Sequence, residues 1–129
     1  MKLGVITDCF RTGLTEAIEA AVKLGLDGVQ IYATGGEFSP EQLDEQSKKH
    51  FAELLRNNHL TVSALCGDLG GYGFQIAEDN LGRIEKTKRI VDLAAEFGAP
   101  VVTTHIGVIP ADRTAKRYRV MLDALTECG

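Results

Sequence analysis

Four short apolar runs recur along the chain, and each is followed by a longer segment whose apolar residues return at helical spacing. The runs read LGVIT, VQIY, LTVSAL and VVTT, and they begin near residues 3, 29, 60 and 100. Short β-branched runs of this kind are typical of buried strands. The alternation predicts the order β-α-β-α-β-α-β-α, in which parallel strands are covered by helices.

The segments between the apolar runs carry the signals that begin and end helices. A first helix is expected from a threonine cap, Thr12 or Thr15, to about Leu24, where Gly25 supplies the left-handed residue that closes it. The Ser-Pro pair that opens segment 39–57 predicts the start of a second helix, because serine caps helices and proline suits their first position.

Two further helices are expected, one from Asp79 or Asn80 to Phe97 and one over 113–127. Helical spacing then identifies the side chains that each helix should bury. These are Leu14, Ile18, Ala21 and Val22 in the first helix; Leu43, Phe51, Leu54 and Leu55 in the second; Leu81, Ile84, the stem of Lys88, Val91, Ala94 and Ala95 in the third; and Tyr118, Met121, Leu122 and Leu125 in the fourth.

Two kinds of parallel sheet fit this order: an open doubly wound sheet and half of a (βα)8 barrel. A doubly wound nucleotide-binding sheet would carry a glycine-rich phosphate motif after its first strand. Residues 8–13, DCFRTG, contain neither GxGxxG nor a P-loop, which weighs against that fold. Residues 66–73 include four glycines after the third strand, and we interpret them as a flexible lid or a substrate-facing loop.

Composition and charge narrow the class of protein. The length of 129 residues predicts a single domain over 1–129. The net charge of -4 disfavours binding to nucleic acid or an anionic membrane surface, and no apolar run is long enough to span a membrane. Cys9, Cys66 and Cys128 are odd in number and form no CxxC pair, so we expect reduced thiols in a cytoplasmic protein.

Polar side chains follow each predicted strand, where the C-terminal ends of parallel strands meet at one edge. His105 is the strongest candidate, because a histidine there can bind metal, contact a sugar hydroxyl or transfer a proton; alternatively its ring only bonds a neighbouring loop. His50 and His59 are expected at the surface instead. The candidate substrate-binding residues are His105, Gln30, Tyr32, Asp8, Cys66 and Asp68.

The structural alternatives for these residues remain open. Asp8 could instead act as a cap or turn residue, and Asp68 as a loop residue. Tyr32 could pack over the mouth of a barrel. Cys66 has no base beside it in the sequence, so we do not expect it to be a nucleophile.

Three segments together resemble the sugar phosphate isomerase/epimerase family, which has a xylose-isomerase-like TIM barrel. They are Leu14–Tyr32, Leu60–Gly70 and Gly98–Gly107, and they occur in the family's order. Many relatives have glutamate where this chain has Gln30. The resemblance implies an α/β fold of four βα units with parallel strands, the N-terminal half of a (βα)8 TIM barrel.

The resemblance also implies a chemistry. In the complete barrel it is aldose-ketose isomerisation or ketose epimerisation of a sugar or sugar phosphate through a metal-stabilised enediolate. A divalent metal (Mn, Mg, Co or Zn) is expected only for that complete barrel. No metal ligand and no catalytic residue is assigned in this chain, so we expect it to be inactive alone. Two alternatives stay open: a non-catalytic α/β binding module, and an apurinic-endonuclease-like member of the same superfamily.

Four βα units leave two strand edges and an inner face, expected to be apolar, without a cover. One hypothesis is a homodimer in which two copies close the barrel about a two-fold axis. The other is that the chain is a truncated piece of a longer enzyme.

Overall fold

The computed structural model describes residues 1–129, and it confirms four parallel strands, each followed by a helix, in one sheet of order β1-β2-β3-β4. This is half of a (βα)8 barrel, as predicted. The strands are β1 (Gly4–Ile6), β2 (Gly28–Tyr32), β3 (Thr61–Cys66) and β4 (Val102–Thr103). The helices are α1 (Leu14–Lys23), α2 (Glu45–Asn57), α3 (Ala77–Glu96) and α4 (Lys116–Cys128).

The register between β2 and β3 contains a β-bulge. Val29 pairs with Val62, but Gln30 pairs with Ala64, so Ser63 is an extra residue without a partner. The Ser63 hydroxyl donates to the Val29 carbonyl over 3.0 Å, which satisfies an acceptor where the ladder is interrupted. A bulge bends and twists its strand, which suits a sheet that curves into a barrel wall.

The outer face of the sheet forms the main core with α1, α2 and α3. Val29 and Leu65 have no exposed surface, and Ile18 of α1 is equally buried against them. Truncating such a residue to alanine costs about 2–5 kcal/mol, because it leaves a cavity as well as losing burial.

The inner face of the sheet is more polar than expected. Residues in register share a face, so Gln30 and Ala64 point inward with Ile6, and Thr103 points inward with Cys66. The inner face is therefore mixed: Ile6, Ala64 and Cys66 are apolar, as expected, whereas Gln30 and Thr103 are polar.

Helix α1 spans the predicted residues, but its N-terminus differs from the prediction. Gly13 is the N-cap, and neither Thr12 nor Thr15 accepts from an N–H of the first turn; the Thr12 hydroxyl instead donates to the Gly13 carbonyl. The Glu37 carboxylate instead accepts from the Leu14 N–H over 2.7 Å. A carboxylate from the next loop therefore replaces a local cap, and it also suits the positive end of the helix dipole.

The C-terminus of α1 is closed as predicted. Gly25 adopts φ +69°, and the N–H groups of Gly25 and Leu26 donate to carbonyls of the last helical turn. This left-handed position costs glycine little.

Helix α2 begins at Glu45, six residues after the predicted serine cap. The Ser39 hydroxyl donates to the Gly36 carbonyl, so it closes the preceding turn rather than capping a helix. Asp44 takes the cap position, and its carboxylate accepts from the Ser47 N–H over 2.7 Å. Ser39 and Asp44 are both suitable N-cap residues, but only Asp44 caps α2.

The buried face of α3 is rotated from the predicted one. Ile84 and Ala94 are buried as expected, but Leu81 is 70 % exposed and Val91 41 % exposed. The stem of Lys88 and the side chain of Ala95 are exposed as well. The residues that α3 buries are Asn80, Ile84, Thr87, Ile90, Leu93 and Ala94. Hydrophobic spacing missed this face because two of its members are polar.

Helix α4 packs against α3, where Ala124 contacts the small apolar cluster of Phe74 and Ile84. Met121 is buried as predicted, whereas Leu122 is 43 % exposed, contrary to the prediction. No helix in the structure is both long and apolar enough to cross a membrane.

Candidate functional site

The C-terminal ends of the four strands lie along one edge of the sheet. The six predicted site residues lie near these strand ends, Gln30, Tyr32 and Cys66 within the last residues of β2 and β3 and the other three beyond the strands, and we call them the strand-end rim. They are Asp8, Gln30, Tyr32, Cys66, Asp68 and His105. Among them only Cys66 is buried, and the others are partly or fully exposed.

Tyr32 is close enough to three other residues of the strand-end rim, Cys66, Asp8 and Asp68, for them to affect its pKa. It ends β2 in register with Cys66 of β3, so the phenol and the thiol are neighbours on the inner face. The charge of the Cys66 thiolate, and to a lesser extent those of Asp8 and Asp68, raises the pKa of Tyr32 above 10.0. The phenol hydroxyl is able to donate a hydrogen bond.

Gln30 makes a contact that the sequence did not predict. Its side-chain amide donates to the Thr103 hydroxyl over 3.2 Å, although the two residues are 73 apart in the chain. The side chain crosses the inner face over Ala64, which pairs with Gln30 on β3. This bond connects β2 to β4 across the strand between them, so Thr103 joins the site.

One signal in the sequence could have identified Thr103. It precedes His105 by two residues, which is the spacing of side chains on one face of a strand. In the structure β4 ends at Thr103, and His105 lies beyond it in an exposed loop. The His105 ring makes no hydrogen bond or ion pair, so no polar bond connects it to the rest of the strand-end rim.

The loop that carries His105 is fixed against the glycine-rich loop after β3. The Phe74 N–H donates to the Ile106 carbonyl over 3.1 Å. Gly73 and Gly107 adopt φ values of +60° and +94° at this crossing. A Cβ at Gly73 would overlap the backbone of Ile106 and Gly107, so only glycine fits there.

Further bonds fix the glycine-rich loop to itself and to α3. The Asp68 carboxylate accepts from the Gly70 N–H over 2.7 Å, and the Arg83 guanidinium donates to the Gly70 carbonyl over 3.0 Å. The Asn80 amide donates to the Phe74 carbonyl over 3.2 Å. Of the two interpretations of this loop, these bonds favour a substrate-facing wall over a flexible lid.

Two cavities open beside the strand-end rim. The first, of about 140 Å³, lies at the ends of β1 and β2, and Asp8, Tyr32 and Glu37 line it. The second, of about 440 Å³, is lined by Asp68 of the loop after β3 and by Asp79, Arg83 and Lys86 of α3. Because Glu37 already occupies the N-terminus of α1, the first cavity favours a hydroxyl-rich group over an anion there.

The side chains of this chain do not form a metal site. No three His, Cys, Asp or Glu residues lie close enough together to bind a metal ion. His50 and His59 are exposed, as predicted, and neither follows the C-terminal end of a strand. The residues of this chain therefore do not by themselves fit the divalent metal that the resemblance implies for the complete barrel.

A parallel sheet with a helix after each strand, and with polar residues along its C-terminal edge, defines half of a TIM barrel. The family model described as xylose isomerase-like TIM barrel matches residues 18–129. The chain belongs to this family. No curated protein sequence matches it significantly.

Solved structures agree on the fold. A xylose isomerase domain protein from Planctomyces limnophilus superposes with TM-score 0.73 at 24 % identity, over 98 % of this chain and 49 % of its own. A D-tagatose 3-epimerase-like protein gives 0.72 at 20 % identity, over 99 % and 47 %. An AP endonuclease of family 2 from Brucella melitensis gives 0.71 at 14 % identity, over 99 % and 50 %.

The chain therefore spans about half the length of each of these three proteins. At such identities the superposition establishes the fold alone. In TIM barrels in general, chemistry takes place at the C-terminal ends of the strands.

Proposed function

We propose that this chain supplies the substrate-orienting half of an isomerase or epimerase that acts on a sugar or sugar phosphate. One observation carries the proposal: Tyr32, Cys66, Asp8 and Asp68 gather at one edge of the sheet. A protonated phenol beside two carboxylates offers both a donor and acceptors, which is what a polyol with adjacent hydroxyls requires.

Each residue of the strand-end rim has a proposed role. The Tyr32 phenol donates to a substrate oxygen, and the carboxylates of Asp8 and Asp68 accept from substrate hydroxyls. Gln30, oriented by its bond to Thr103, presents its amide oxygen to the same face. His105 contacts a substrate hydroxyl or transfers a proton, and its free ring is available for either.

Proton transfer at a carbon beside a carbonyl requires two acid-base groups on opposite sides of the substrate, and no such catalytic pair is assigned in this chain. We therefore propose that it binds substrate but turns over only when a second half completes the barrel. The three cysteines are free thiols, which supports a reducing, cytoplasmic location.

The test is sugar binding by the purified chain, measured by isothermal titration with a panel of ketoses and ketose phosphates. Tyr32→Phe removes only the phenolic hydroxyl and should weaken binding about two- to tenfold. Tyr118→Phe is the matched control, because Tyr118 lies on α4 and lines neither of the two cavities beside the strand-end rim. No binding of any sugar, or equal affinities for the two variants, would contradict the proposal.

The same panel separates the alternatives. Sugar binding without turnover in every assembly state would favour a binding module. An abasic DNA duplex tests the endonuclease-like alternative, which we expect to fail because the chain carries a net charge of -4.

A further inference from the structure

The cavity of about 440 Å³ lies just beyond the C-terminal ends of β2 and β3. Tyr32 and Cys66 are in register where these two strands end, and Thr34 and Asp68, which line the cavity, each follow two residues later. The rest of the wall comes mainly from the N-terminal part of α3. Asp68 belongs to the strand-end rim as well, so the cavity adjoins the candidate site.

The walls of this cavity come from elements inside the sheet rather than at its edges. β2 and β3 each have a neighbouring strand on both sides, and α3 follows β3. Strands that complete a barrel pair with β1 and β4, and the helices that accompany them lie beyond α1 and α4. The cavity therefore keeps the same walls in a complete barrel.

The wall that α3 contributes carries two positive charges. Its residues are spaced as i, i+3, i+4 and i+7, so they share one face of the helix. They are Asp79, Gly82, Arg83 and Lys86. Arg83 and Lys86 form no ion pair with Asp79 or with any other carboxylate. Both charges are therefore available to an anionic ligand.

The glycine-rich loop after β3 fixes the Arg83 guanidinium in place. Its Nη1 donates to the Gly70 carbonyl over 3.0 Å, which leaves its other N–H donors unused. Gly71 adopts φ +63°, and a Cβ at this position would lie 2.9 Å from Nη2, so the missing side chain gives the guanidinium room. An arginine that is oriented before its ligand arrives loses less conformational entropy on binding.

Gly82 keeps the cavity open. It lies inside α3, where glycine is the poorest helix former apart from proline. A Cβ at Gly82 would meet nothing within 4 Å, so no packing contact requires a glycine there. Because Gly82 lines the cavity, a longer side chain at this position would occupy part of it.

We propose that this cavity binds the phosphate group of a phosphorylated sugar, with Arg83 and Lys86 as its ligands. A planar guanidinium and an ammonium group are the side chains that proteins use for phosphate. The Thr34 hydroxyl, which lines the cavity and makes no hydrogen bond within the chain, is a further donor.

The carboxylates favour a sugar phosphate over a small inorganic anion. Asp68 and Asp79 line the cavity beside the two cations, so the lining suits a ligand that has hydroxyls as well as negative charge. Since Asp68 also belongs to the strand-end rim, a phosphate in the cavity places the sugar carbons beside Tyr32. This placement of the sugar rests on the proposed function, whereas binding of phosphate in the cavity does not.

The test is isothermal titration of the full chain with fructose, ribulose, their phosphate esters and inorganic phosphate. We expect the esters to bind about tenfold more tightly than the free ketoses, or better. Lys86→Gln should weaken binding of the esters about three- to tenfold and leave the free ketoses unchanged. Lys49→Gln is the matched control, because Lys49 is exposed on α2, forms no ion pair and lies outside the cavity.

A second variant separates loss of the cavity from loss of the fold. Gly82→Leu should remove the whole advantage of the esters over the free ketoses, because its side chain fills the cavity. Its urea midpoint should stay unchanged or rise, since leucine is the better helix former. Ala95→Leu is the matched control, because Ala95 is exposed on α3 outside the cavity.

The outcomes distinguish this site from the proposed function. Esters that bind no more tightly than free ketoses would overturn the phosphate site, and so would a preference for esters that persists in both Lys86→Gln and Gly82→Leu. Binding of the free ketoses in either case would leave the proposed function in place. If no free ketose binds, but Lys86→Gln weakens binding of both inorganic phosphate and the esters, the phosphate site stands and the proposed function does not.

Discussion

Replacing Gly73 by alanine should disrupt the crossing of the two loops after β3 and β4. At φ +60° the left-handed conformation costs a non-glycine residue about 1–2 kcal/mol. The new Cβ would also overlap the backbone of Ile106 and Gly107, where no flexible side chain can move aside. Overpacking of this kind adds about 1–3 kcal/mol, so we expect a loss of about 2–5 kcal/mol in the free energy of unfolding.

The measurement is urea unfolding followed by circular dichroism, with Gly25→Ala as the control. Gly25 has a similar φ of +69°, but nothing lies within 4 Å of the position that an alanine methyl group would take there, so this variant bears only the conformational cost. The difference between the two variants therefore isolates the overlap. Equal destabilisation would refute the reasoning, because it would mean that the loops separate without cost.

Three further predictions concern single side chains. Glu37→Ala should lower the free energy of unfolding by about 1 kcal/mol in urea titrations, because the α1 N-terminus loses its acceptor; an unchanged midpoint would contradict this. The Ser47 N–H lowers the pKa of Asp44 below 3.8, so the stability that Asp44 contributes is present above that pH and is lost as the pH falls through the folded pKa. Asp44→Asn should therefore flatten the acid limb of the stability profile, and an unaltered limb would argue against the cap. Cys66→Ser should lower the pKa of Tyr32 toward 10.0 in an absorbance titration of the phenolate, and an unmoved titration would show that the thiolate is not the main cause of the shift.

The strands could be predicted from the sequence because β-branched runs bounded by glycine and polar residues have few alternatives. The buried faces and the first residues of helices were harder to predict wherever a polar residue is buried or caps a helix. Asn80 and Thr87 lie on the buried face of α3, and Asp44 displaced Ser39 as a cap. Local patterns do not show which of two competing polar residues the tertiary structure uses.

The candidate site, like the helices, could be predicted from the sequence only in part. The order of strands placed Asp8, Tyr32 and Cys66 at one edge, because strand ends in a parallel sheet share an edge. The bond from Gln30 to Thr103 could not be predicted, since it depends on the register of β2, β3 and β4 together. Register is a property of the folded sheet, and a one-residue shift reverses the face of every side chain.

The bulge at Ser63 determines which face of the sheet the later side chains of β3 occupy. Strict alternation from Val62, which is buried in the core, would turn Leu65 toward the barrel interior and Cys66 into the helix layer. Because Ser63 is unpaired, the alternation shifts by one residue. Leu65 therefore enters the core, and Cys66 lies in register with Tyr32 on the inner face. Ser63 therefore shifts the alternation of β3 by one residue, and this shift decides which of its later side chains stabilise the core and which lie on the inner face of the sheet.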